Sequence, residues 1–94
     1  MSQPQELGNL LKEIISKYGL NEKLEQGIIF SEWNNWVSET VARNTTPVKI
    51  KRGVLYVKVT DDAWRSELSY QKIRLKELIN GKIKREIIKD IKFI

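Results

Sequence analysis

Val48-Lys49-Ile50-Lys51-Arg52-Gly53-Val54-Leu55-Tyr56-Val57-Lys58-Val59 runs with a period of two on either side of one turn signal. Val48 and Ile50 alternate with Lys49 and Lys51. Leu55, Val57 and Val59 alternate with Tyr56, Lys58 and Thr60. Alternation sends successive side chains to opposite faces of a sheet, and Arg52-Gly53 supplies a turn between antiparallel strands. The stretch therefore reads as a β-hairpin. Its outer face is expected to carry Lys49, Lys51 and Lys58 beside Tyr56.

Downstream, Thr60-Asp61-Asp62 is a helix start and Asn80-Gly81 a helix stop. Trp64, Leu68, Leu75, Leu78 and Ile79 form the apolar stripe between them, with Arg65, Lys72 and Lys76 off it. About 18 helical residues make a rod of roughly 27 Å, enough to cross a small sheet. Ile91 and Phe93 flank Lys92, which predicts a last strand. Upstream, Ser31 is the expected N-cap of a helix carrying Trp33, Trp36, Val37, Thr40 and Val41 and ending near Asn44, ahead of Pro47. Asn21 to Gln26 adds a helical turn before Gly27. Gln5 to Tyr18 places Leu7, Leu10, Leu11, Ile14 and Ile15 on one helical face, and Gly19 ends it. The order is helix, helix, strand, strand, long helix, strand. It predicts an α+β fold in which a three-stranded sheet is covered on one face by helices, with strand 3 parallel to strand 2 after a right-handed crossover.

The chain has 94 residues, 40% of them apolar, which suits one core and a single domain over residues 1–94. Its apolar runs are too short for a membrane helix. The first residues are polar and carry no basic group before Lys12, unlike a signal peptide, so a cytoplasmic location is expected. There is no Cys and no His. Disulfides, Cys/His zinc sites and the usual Ser-His and Cys-His nucleophiles cannot be built. Asp61-Asp62 reads as a helix cap rather than an acid pair. Ser69-x-x-Lys72 lacks the companion motifs of serine acylases. No P-loop or dinucleotide fingerprint occurs. No catalytic residue, metal, cofactor or small-molecule substrate is expected, and the chain reads as a binding module rather than an enzyme.

Net charge is +5 and unevenly spread: residues 1–46 hold four basic and six acidic residues, residues 47–94 thirteen and six. Such asymmetry suits a polyanion contact, although lysines on a solvated surface would produce it too. Lys49, Lys51, Arg52 and Lys58 on the hairpin, with Lys82, Lys84 and Arg85 after the long helix, are the nucleic-acid candidates; Lys89 extends the second cluster. Trp33 and Trp64 lie on apolar stripes and read as core, while Trp36 is open between core and a stacking role. On that reading Trp64→Ala costs about 3–5 kcal/mol.

Taken together, Trp33-(x)3-Val37, Val41-Ala42-Arg43-Asn44-Thr45-Thr46-Pro47, Arg52-Gly53-Val54-Leu55-Tyr56-Val57, Asp61-Asp62-Ala63-Trp64-(x)3-Leu68 and Asp90-Ile91-Lys92-Phe93 resemble the DciA family over roughly residues 7–94. Two positions depart from the family pattern: Ser38 stands where Gly is usual, and Asn44 where His is frequent. The resemblance implies a KH-like domain and a non-catalytic role in bacterial DNA replication, with DNA and the replicative helicase DnaB as partners and helicase loading as the activity. Many members add a disordered basic extension that these residues do not contain. The alternative is a KH-like RNA-binding protein. Against it, no Gly-x-x-Gly occurs to clamp a nucleic-acid backbone.

Overall fold

Ile29 and Trp33 are buried at four-residue spacing in the first described helix, and Val37, just past its end, continues the stripe. The computed structural model describes residues 21–94; the helix expected over Gln5 to Tyr18 lies outside the described residues. Helix α1 (Asn21–Trp36) runs without a break through Gly27 and Ser31. Ser31 is therefore not an N-cap. It sits exposed in the helix interior, its hydroxyl donating to the Ile28 carbonyl at 3.2 Å. Burial of the stripe on both sides of Ser31 outweighs the local capping preference. The same burial carries the helix through Gly27, whose conformational cost of about 1 kcal/mol is smaller than the gain from burying the stripe.

The cap lies seven residues later. Ser38 opens the short helix α2 (Glu39–Asn44), its hydroxyl accepting from the Val41 N–H at 3.3 Å. Ser and Gly are both good N-cap residues, so the first departure from the family pattern is structurally neutral. Asn44 closes the helix and ties it to the next turn. It donates to the Thr40 carbonyl at 2.8 Å and accepts from the Thr60 hydroxyl at 3.1 Å.

Strands β1 (Thr45–Lys51) and β2 (Val54–Val59) form the expected antiparallel hairpin. Arg52 and Gly53 turn it with φ of 53° and 80°, the two positive values of a tight hairpin turn whose twist matches the strands. One strand reading changes. The register shifts between Pro47 and Lys49, so Val48 is the extra residue of a bulge and is 47% exposed rather than core-facing.

Asp61 caps helix α3 (Asp62–Tyr70), its carboxylate accepting from the Trp64 N–H at 2.9 Å. The single long helix expected from here is two. At Gln71 the N–H bonds back three residues to the Leu68 carbonyl, and helix α4 (Lys72–Ile83) begins beyond it. Helix α4 passes through Gly81, so Asn80-Gly81 is not its stop. The left-handed residue is Lys84, with φ of 65°. Asn80 compensates by clamping the chain that follows: its amide donates to the Ile88 carbonyl and its oxygen accepts from the Ile88 N–H, both at 2.9 Å. Strand β3 (Asp90–Phe93) then runs parallel to β2, in sheet order β1-β2-β3.

Leu55, Val57, Val59 and Ile91 from the sheet meet Ile29, Trp33, Val41, Leu68, Leu75 and Ile79 from the helices in one core. Trp33 is buried as expected. Its indole N–H donates to the Thr45 hydroxyl at 2.9 Å, which donates to the Val41 carbonyl at 2.6 Å, so one buried chain of hydrogen bonds joins α1, β1 and α2. Trp36 is half-buried against the core. Trp64 is too: it packs against the core from the first turn of α3, as its place on the apolar stripe implies, but is only partly enclosed by it. The architecture is α+β, with helices packed on a three-stranded sheet in the manner of a small KH-like domain.

Candidate nucleic-acid interface

The sheet has a second face. With Leu55, Val57 and Val59 turned into the core, the pleat turns Val54, Tyr56 and Lys58 the other way. The neighbouring strands are in register with this set. Lys51, Val54 and Asp90 form one row across the sheet, Lys49, Tyr56 and Lys92 the next, and Thr46 and Lys58 the third. Lys49, Lys51, Lys58 and Lys92 are exposed, and Tyr56 is half-buried without joining the core cluster. The Lys49 ammonium lies 4.9 Å from the centre of the Tyr56 ring, and that of Lys92 lies 6.0 Å from it. Three of the expected candidates thus share a face. Lys92 joins them, although the sequence reading did not select it. Its signal was the parallel register of β3, which alternation within one strand cannot reveal.

Arg52 projects from the hairpin turn at the edge of this arrangement. It lines an open cleft of about 320 Å³ with Arg85, Lys89, Glu22 and Glu86. The backbone closes the cleft floor: the Lys89 N–H donates to the Gly53 carbonyl at 2.7 Å. The second basic cluster therefore divides. Arg85 meets the hairpin turn but is engaged by Glu25, whose carboxylate accepts from both Nε and Nη2 of the guanidinium. That hydrogen-bonded pairing, reinforced by the negative charge itself, raises the Arg85 pKa further above its ordinary value. Lys82 and Lys84 stand exposed at the end of α4 and line none of the described clefts.

One carboxylate sits on the open face. Asp90 accepts from the Ile91 backbone N–H, which, with the nearby Lys72 and Lys92 ammoniums, holds its pKa below the usual carboxylate value. Lys72 approaches it to 3.4 Å. The rest of the face is open to anions, since Lys49, Lys51, Lys58 and Lys92 make no ion pair among the described residues. The arrangement can offer phosphates several cations around one aromatic ring. Among the described residues no group of three or more carboxylates gathers as a metal site.

A family model described as "Dna[CI] antecedent, DciA" matches residues 6–93. Curated relatives include the UPF0232 protein Rv0004 of Mycobacterium tuberculosis (strain ATCC 25618 / H37Rv), 25% identical over 89 residues that cover 95% of this chain and 48% of the relative. The UPF0232 protein of Mycobacterium ulcerans (strain Agy99) is 26% identical with the same coverage. The UPF0232 protein ML0004 of Mycobacterium leprae (strain TN) is 26% identical over 95% of this chain and 47% of its own length. The chain thus spans about half the length of these curated relatives. With nearly all of its own residues inside the family match, the chain belongs to the DciA family.

Proposed function

We propose that this chain is a non-catalytic DNA-replication factor that binds DNA and the replicative helicase DnaB and assists helicase loading in the bacterial cytoplasm. The observation that carries the reading is the family match over residues 6–93. The lysine-rich open sheet face supports its DNA-binding half. Lys49, Lys51, Lys58 and Arg52 supply cations from the hairpin and Lys92 supplies one from β3, while Lys82 and Lys84 add exposed charge at the end of α4 and Arg85 is held by Glu25. The acidic N-terminal helices, or the helical segment α3–α4 that follows the hairpin, are left for protein contact, so DNA and helicase can be held at once. The role of such a factor is to bring two partners together, and it needs no reacting group of its own. No helix among the described residues is long and apolar enough to cross a membrane.

Two measurements test the reading. Retention of the replicative helicase by the immobilised chain from a bacterial extract, identified by mass spectrometry, is the expected result; its absence refutes the partner. Binding to single-stranded DNA, duplex DNA and matched RNA is then compared at one salt concentration and titrated with salt. With about three to five phosphates engaged, log K falls against log salt with a slope of roughly −2 to −4.5. A tighter complex with RNA than with either DNA would replace the DNA reading with the RNA-binding alternative.

A further inference from the structure

The row Lys49–Tyr56–Lys92 carries more than charge. Its three residues lie directly opposite one another on three adjacent strands, with the aromatic in the middle. Adjacent strands are about 4.8 Å apart, so the two lysine backbones flank the tyrosine at equal distances. Tyr56 is surplus to the core, which is closed by Leu55, Val57 and Val59 from the same strand. Both ammoniums rest near the ring, and neither has a carboxylate partner among the described residues. An exposed cation–π contact is weak, so an arriving ligand can displace a lysine from the ring. A nucleotide in an unpaired strand presents one flat base between two phosphates. Ring and base can stack while each displaced ammonium turns to a phosphate. Duplex DNA keeps the faces of its bases stacked on one another and offers only their edges in the grooves, so a ring cannot stack on them.

Resting on the DNA-binding reading above, we propose that the open sheet face is a single-strand site in which Tyr56 stacks on a base and Lys49 and Lys92 take the flanking phosphates. The site selects unpaired DNA through the base, while the remaining lysines add sequence-independent attraction.

The test is fluorescence anisotropy of a labelled single strand, the same strand with abasic positions, and a duplex of the same sequence, with denaturant midpoints run beside it. Tyr56→Ala is expected to weaken single-strand binding about 5- to 150-fold, the range for loss of one base–aromatic stack. It should leave duplex binding within about twofold and the salt slope unchanged, because no cation is removed. Tyr56→Phe, which keeps the ring, should bind like the parent. Lys49→Gln with Lys92→Gln should flatten the single-strand slope by about 1.4. The parent itself should lose the same affinity on the abasic strand. This arm needs no variant to fold. Equal binding of ordinary and abasic strands by the parent, or an equal loss on strand and duplex in Tyr56→Ala, overturns the stacking site while leaving a basic DNA-binding surface intact. Absence of any salt-dependent binding by the parent removes the DNA-binding reading and the stacking site together.

Discussion

Asn80→Ala removes both hydrogen bonds that hold the backbone of Ile88, a residue with no exposed surface. Each bond contributes about 1 kcal/mol net, and a buried N–H or C=O left without a partner costs about 1–3 kcal/mol. The N–H and C=O of Ile88 are both stranded, although the partly open side of Asn80 lets water relieve some of the loss. The expected destabilisation is about 2–3 kcal/mol. With an m-value of about 1 kcal/mol/M, the urea midpoint falls by roughly 2–3 M. Asn80→Asp sharpens the test. Its carboxylate still accepts from the Ile88 N–H but faces the Ile88 carbonyl with a second acceptor. That repulsion raises the carboxyl pKa in the folded state, and the protonated form can donate to the carbonyl. The stability deficit of Asn80→Asp should therefore be full at neutral pH and shrink as the pH falls through the raised pKa, whereas that of Asn80→Ala should not follow this titration. Urea titrations of both variants at several pH values check this. A midpoint for Asn80→Ala within about 0.5 M of the parent at unchanged m would refute the clamp.

Further outcomes follow from other contacts. Ser38→Ala should cost about 1 kcal/mol by removing the cap of α2, and Ser38→Gly much less, read from thermal or urea midpoints. Gly53→Ala should destabilise by about 1 kcal/mol or more, because φ is +80° and the new Cβ would lie 3.0 Å from the Lys89 side chain; an unchanged midpoint would mean the turn re-forms. Trp64→Ala should cost about 1–2 kcal/mol, below the value for a fully enclosed aromatic, since the residue is only partly buried against the core. Asp90→Asn should lower stability at neutral pH. The folded-state pKa of Asp90 lies below its unfolded value, so the parent's advantage is present above the usual carboxylate range and disappears as the pH falls through the folded pKa.

The hairpin was legible because its signals are short-range: alternating apolar residues, and a turn glycine that accepts a positive φ freely, with Arg52 drawn into the left-handed region beside it. The cap at Asp61 was legible for the same reason. The helix boundaries were misread wherever a local signal competed with packing at longer range. Ser31 has the chemistry of a cap, but Ile29, Trp33 and Val37 bury one continuous stripe across it. Gly81 looks like a stop, yet the helix runs on, because Asn80 and a left-handed Lys84 terminate it two residues later. The break at Gln71 leaves the spacing of Leu68, Leu75 and Ile79 intact, so periodicity gave no warning of it. It shows instead in the surface, where Tyr70 is 89% exposed and Ile73 is 67% exposed. In the candidate site, alternation identified Lys49, Lys51 and Lys58 as companions of Tyr56. Lys92 required the register of β3 against β2, which sets it opposite Tyr56, and the engagement of Arg85 by Glu25 joins residues 60 positions apart.

The bulge at Val48 makes the two faces of the sheet compatible. Thr45 and Pro47 face the core, opposite Val59 and Val57. Strict alternation from there would turn Lys49 and Lys51 inward and Ile50 outward, which would cost several kcal/mol per buried ammonium. The extra residue reverses the parity. Ile50 then packs against the core opposite Leu55, while Lys49 lies opposite Tyr56 and Lys51 opposite Val54 on the open side. Pro47 is the sequence mark of this device, because a residue without an N–H belongs on an edge strand or beside a bulge. Local loss of ladder regularity at an edge is a small cost beside the burial of two lysines. The same single-residue shift that completes the apolar core therefore also assembles the row of cations about Tyr56, and the stability of the fold and the chemistry of its open face rest on one local irregularity.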